Sequence, residues 1–165
     1  MFDKFGEFDS AEEINATAAG LAAEGDINSL HEMAKENGIE KEDVEDYLRD
    51  YLDGLQPELV STYMAAWGKL EVEMKELKVC EIMKDWIEYI RISMEDSVDF
   101  QRAVRRKGKS LEECIAALLK WGFKNQYPIN KKILEAAGVS ASKVTLGIPG
   151  MGTAKKIITK YYMGK

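Results

Sequence analysis

The chain has 165 residues, 45% apolar and 32% charged, with a net charge of −6, two cysteines and one histidine. That length allows one compact domain or two small ones with a buried core, and the composition argues against disorder. Cys80, Cys114 and His31 are too few for zinc fingers, haem motifs, a Cys–His nucleophile pair or a disulfide scaffold.

The opening Met1-Phe2-Asp3-Lys4-Phe5-Gly6-Glu7 has neither the basic nor the apolar region of a secretory signal. No later stretch is apolar for long enough to span a bilayer. Ser10-Ala11-Glu12-Glu13 is a capping box, and the helix it opens runs to about Glu24, stopped by Gly25. Asp26 caps a second helix through Lys35, closed by Asn37-Gly38, where a left-handed residue belongs. A third helix spans about Lys41 to Asp53 and places Val44, Tyr47, Leu48, Tyr51 and Leu52 on one stripe. Gln56-Pro57 restarts the chain, with Leu59, Tyr63, Ala66, Leu70, Met74 and Leu77 marking a long helix. Ile82, Trp86, Ile90 and Met94 mark another, with no strong breaker at the join near Val79. The cysteines sit inside helical patterns, Cys114 as a small buried hydrophobe.

A shorter helix at about Val98–Arg106 ends at Lys107-Gly108. Ser110-Leu111-Glu112-Glu113 is a second capping box, opening a helix through about Lys124 in which Leu118, Leu119 and Phe123 fall at core spacing. Asn130 to Ala137 is a short helix stopped by Gly138. Only Ser142-Lys143-Val144-Thr145-Leu146 reads as strand, and one segment cannot make a sheet. A glycine loop, 147–152, precedes a last helix at about Thr153 to Tyr162. The expected fold is all-α: an irregular helical bundle with an acidic helical module at 1–55 and a helical domain at 57–165 with a basic C-terminal region.

Charge is unevenly placed. Residues 1–78 carry 20 acids and 7 bases, whereas residues 101–165 carry 14 bases and 3 acids. Such asymmetry speaks of partners rather than of fold, although opposite charges facing one another within the chain would also produce it. Residues 27–53 have the apolar spacing of a helix-turn-helix. Their second helix, however, carries Glu42, Asp43, Glu45, Asp46, Asp50 and Asp53, which DNA phosphates would repel, so a plain helical hairpin is expected. Those six carboxylates are instead candidates for a basic protein groove.

Gly147, Gly150 and Gly152 lead into a helix N-terminus, the setting of a phosphate cradle. The P-loop lysine is displaced to Lys155 and Lys156, and no βαβ unit surrounds the loop, so nucleotide hydrolysis is not expected. Glycines that relieve backbone strain in a capped loop are the simpler account. Arg102, Arg105, Arg106, Lys107, Lys109, Lys124, Lys131 and Lys132, with Trp121, Phe123 and Tyr127 interleaved, are candidates for contact with nucleic acid or an acidic partner. No catalytic constellation is present: the sequence predicts no enzyme, no cofactor and no metal.

Lys107-Gly108-Lys109-Ser110-Leu111-Glu112-Glu113-Cys114-Ile115, reached through Phe100 and Val104, resembles the PcfK-like family of small proteins on conjugative and other mobile elements. Gly122-Phe123, followed by Ile129 to Ala137, is similar to that family's short helix after a Gly-Phe step. The resemblance covers about residues 80–137, and departs from the family at Lys131 and Lys132, where the family is acidic, and in the glycine loop and tail. Relatives of the family include an anti-CRISPR protein that inhibits the RNA-guided DNA nuclease of type II systems. The resemblance implies an inhibitor in the cytoplasm of a bacterial host cell, its partner a CRISPR effector nuclease with or without guide RNA. The alternative is a nucleic-acid-binding accessory protein of a conjugative element. Neither reading carries a catalytic residue or a membrane partner.

Overall fold

The structure, a computed structural model, describes residues 2–141 and 143–164. Its described residues form α1 (Ala11–Glu24), α2 (Ile27–Glu36), α3 (Lys41–Leu52), α4 (Thr62–Leu77), α5 (Ile82–Asp96), α6 (Val98–Arg105), α7 (Leu111–Lys124), β1 (Tyr127–Pro128), α8 (Lys131–Ala136), β2 (Thr145–Leu146) and α9 (Met151–Met163). The fold is all-α. It divides into two compact units, Met1–Glu112 and Glu113–Lys165, so the boundary expected near residue 56 lies inside the first unit.

In the first unit the helix ends follow side-chain chemistry. Ser10 Oγ accepts from the Glu13 amide at 3.2 Å, while the Glu13 carboxylate reaches back to the amide of Asp9, one residue before the cap. Asp26 caps α2 through the Ser29 amide, Ser61 caps α4 through Met64, and Ser97 caps α6 through Phe100. Each cap satisfies a backbone donor that the helix itself leaves open. Ile14, Ala18, Leu30, Met33, Val44 and Tyr47 share one core with Leu59, Val60 and Ala65. The α2–α3 turn presses against α4: a Cβ on Gly38 would stand 2.3 Å from the Gly68 carbonyl oxygen, and one on Gly68 would stand 2.3 Å from that of Asn37. Gly38 also has φ +68°, so both the conformation and the closeness require glycine.

Two expectations change, for Pro57 and Cys80, and the join left open near Val79 takes a definite form. Pro57 does not open α4; it lies in an irregular segment that ends at the Ser61 cap. Asn15 holds that segment, its amide donating to the Val60 carbonyl and its oxygen accepting from the Val60 amide. The join near Val79 is made by Lys78 and Glu81, both at positive φ without being glycine. Cys80 lies exposed in that join and not in a helix, whereas Cys114 is buried as expected.

In the second unit, β2 finds a partner that the sequence reading missed. Tyr127 pairs with Leu146 and Pro128 with Thr145 in an antiparallel ladder of two residues a side. Ser142 of the expected strand lies outside the described residues. Ala154, Ile158 and Tyr162 form the buried stripe of α9, one turn apart.

Candidate functional site

Helix α3 turns Val44 and Tyr47 inward, which leaves the other side of the helix to solvent. Its helical spacing places Glu42, Glu45, Asp46, Asp50 and Asp53 around that outer side, with Asp43 half-buried at its edge. Two cations interrupt the carboxylates. Lys41 pairs with Glu45 at 2.9 Å, and Arg49 lies 2.9 Å from Asp46 and 3.7 Å from Asp50. Six acids against two bases leave the face strongly negative. Glu42 and Asp43 stand in the first turn, where the helix dipole favours acids, but Asp50 and Asp53 stand at the C-terminal end, where it opposes them. Helix stability therefore does not explain the acids at that end.

Leu52 was expected on the buried stripe, but it is 82% exposed, and Leu55 in the following turn is 58% exposed. The period of α3 turns Leu52 away from Val44 and Tyr47, toward the carboxylates. The outer side of α3 thus ends in one exposed leucine beside a field of carboxylates, and a second exposed leucine follows three residues on.

The basic candidates are divided between the two units, and within each they differ in setting. Arg102 is exposed and lies 3.9 Å from Asp99, and Arg106 and Lys107 are exposed. Arg105 is fully buried: its guanidinium donates to Asn37 Oδ1 at 2.7 Å and to the Ala65 carbonyl at 3.4 Å. It is a core residue and not a contact for nucleic acid, because its side chain lies on the face of α6 that packs against α4. Burial lowers its pKa to about 10, which still leaves it charged at neutral pH. Lys109 is half-buried. Lys124, Lys131 and Lys132 are exposed but belong to the second unit, where Lys131 lies 3.6 Å from Glu135.

In that unit Phe123 and Leu119, expected in the core, are exposed, Phe123 by 77%. Tyr127 and its cross-strand partner Leu146 are exposed as well. The three loop glycines serve separate ends. Gly147 approaches α7 so closely that a Cβ on Gly122 would stand 1.8 Å from its carbonyl oxygen. Gly150 is the N-cap of α9, and Gly152 lies within its first turn, because α9 begins two residues before the expected start. Of the three, only Gly147 packs against a neighbouring backbone; Gly150 and Gly152 have open space at their Cβ positions.

The sequence reading missed a buried polar network in the first unit. Lys69, almost wholly buried, pairs with Glu7 and donates to the carbonyl oxygens of Arg105, Arg106 and Lys109. One turn on, Glu73 accepts from the Leu111 amide at 3.0 Å, the first residue of α7. Both charges fall on the buried stripe of α4, in step with Ala65, Ala66 and Leu70. That register was the available signal.

No family model, curated protein or solved structure matches the chain. Among the described residues no group of three or more His, Cys, Asp or Glu side chains is placed to hold a metal ion. Among the same residues no helix is long and apolar enough to cross a membrane.

Proposed function

We propose that the protein is a non-catalytic inhibitor whose α3 face occupies a positively charged nucleic-acid channel, and that its target is a CRISPR effector nuclease of type II. The observation that carries this reading is the outer side of α3, which bears six carboxylates and the exposed Leu52, with Leu55 exposed in the turn that follows. RNA-guided nucleases hold a guide–target duplex in a basic channel and read the flanking motif with arginines. Carboxylates offer those arginines charge-assisted, often bidentate hydrogen bonds in place of phosphates. Charge complementarity steers the encounter, and apolar anchors supply the affinity that salt does not screen. Occupancy suffices for inhibition, so no chemistry is required. The resemblance to PcfK-like proteins supports the choice of target.

Binding to a purified, guide-loaded type II nuclease at low and high salt separates the two contributions. Leu52→Ala with Leu55→Ala should weaken binding about tenfold or more, with the salt dependence retained, since an anchor of this kind contributes about 1–2 kcal/mol or more. Replacing the six carboxylates by Asn and Gln should remove most of the salt dependence. Wild-type binding that is indifferent to both changes would reject the α3 face.

A second reading has its own observation. The second unit carries nine lysines against two carboxylates, and it exposes Phe123 and Tyr127. Lysines on phosphates and aromatic rings under unpaired bases are the usual means of holding single strands. An accessory nucleic-acid-binding protein of a conjugative element would then bind labelled single-stranded DNA, with affinity falling steeply as salt rises. Phe123→Ala should weaken that binding at every salt concentration. Weak, salt-insensitive binding by the full chain removes this reading.

A further inference from the structure

We propose that the second unit carries a docking face for a second copy of this chain, and that its occupant is the leucine-bearing C-terminal end of α3. The face is built where the glycine loop crosses α7. A Cβ on Gly122 would stand 1.8 Å from the Gly147 carbonyl oxygen, so the two backbones pass in contact there. Phe123 follows Gly122 in the chain, Leu119 lies one turn before Phe123 on the same side of α7, and Leu146 and Ile148 flank Gly147. Tyr127 stands opposite Leu146 in the ladder. All five apolar side chains are exposed, Phe123 the most.

Single exposed apolar residues are ordinary, but five gathered at one crossing and edged by cations mark a surface that another molecule covers. Lys120 and Lys124 follow Leu119 and Phe123 on α7, both exposed, and among the described residues neither has an ion-pair partner. Leu119, Leu146 and Ile148 have no ring on which a base could stack, so the face suits a protein better than a nucleic-acid strand. Its complement is apolar at the centre and acidic at the edge.

The end of α3 has that composition. Leu52 and Leu55 are exposed, Asp53 follows Leu52 directly, and Glu45 lies two turns earlier on the same side of the helix. Charge selects the pairing. Two first units, each at −13, repel one another, and so do two second units, each at +7. Attraction is left only between the first unit of one copy and the second unit of another. A copy held in this way has its α3 face covered and cannot offer it to a nuclease. The proposal shares that face with the inhibitor reading but does not require it.

Analytical ultracentrifugation of the full chain without nuclease, from micromolar to submillimolar concentration at low and high salt, tests it. The average mass should rise with concentration, and less so at high salt. Leu52→Ala with Leu55→Ala should weaken association about tenfold or more, and so should Leu119→Ala with Phe123→Ala. All four positions are exposed, so both double variants keep the fold. Mixed in equal amounts, the two double variants should associate more tightly than either does alone, because the intact face of one meets the intact α3 of the other. Association that responds to the Leu119 and Phe123 changes but not to those in α3 would mean that the faces pair with each other, and overturns the proposal. So does association indifferent to both pairs of changes, or a mixture no tighter than its components. A chain that stays monomeric throughout, with Phe123→Ala lowering only its binding of single-stranded DNA, gives the face to nucleic acid and overturns it as well.

Discussion

Glu73 and Arg105 are single residues on which the first unit turns. Burial raises the Glu73 carboxyl from its ordinary value to about 7, so folding favours its protonated form. The associated stability is complete below the unfolded pKa, about 4.5, and is lost as pH rises through 7. A shift of that size corresponds to about 3 kcal/mol. Glu73→Gln cannot ionise, and Gln can still accept from the Leu111 amide. Its stability relative to wild type, from urea unfolding, should therefore be about 2–3 kcal/mol more favourable at pH 8 than at pH 5. A difference that does not change with pH would mean that Glu73 is already ionised in the fold. Arg105→Ala should cost about 3–5 kcal/mol, because it strands Asn37 Oδ1 inside the core and leaves a cavity where a fully buried side chain stood. Arg106→Ala, at an exposed position, should stay within about 0.5 kcal/mol.

Among the elements, two glycines meet backbone and others meet nothing. Gly38→Ala or Gly68→Ala must push the α2–α3 turn off α4 and should cost more than about 2 kcal/mol by chemical unfolding. Gly20 lies within α1 with open space around its Cβ position, so Gly20→Ala should stabilise by about 0.5–1 kcal/mol. Gly152→Ala, in the first turn of α9 and equally open, should not destabilise. Helix starts were legible because Ser10 and Asp26 announce themselves chemically, and the stops at Gly25 and Gly138 because glycine tolerates the left-handed backbone found there. The α4–α5 join was not legible, since Lys78 and Glu81 take positive φ that their side chains do not advertise. Neither was β1, because two residues, one of them a proline, carry no alternation to read. At the candidate site, the carboxylates of α3 could be named from sequence alone. Periodicity marked Leu52 and Phe123 as apolar but could not say whether anything covers them. Hydropathy likewise hid Lys69, Glu73 and Arg105, charged residues that enter a core only when hydrogen bonds hold them there.

Across the molecule, charge follows the division into units: the first carries a net −13 and the second +7. Opposite fields on separate units allow one chain to meet partners of opposite sign, with steering that weakens as salt rises. The two functional readings divide along the same line. Inhibition of a basic nuclease channel uses the first unit, and contact with single-stranded nucleic acid uses the second. The most direct test is DNA cleavage by a purified, guide-loaded type II nuclease, titrated with the full chain and with a variant whose six α3 carboxylates are Asn and Gln. The account predicts that wild type suppresses cleavage in proportion to occupancy and that the variant, folded by circular dichroism, loses at least about tenfold in potency. Equal suppression by both proteins, or none by wild type, would contradict it.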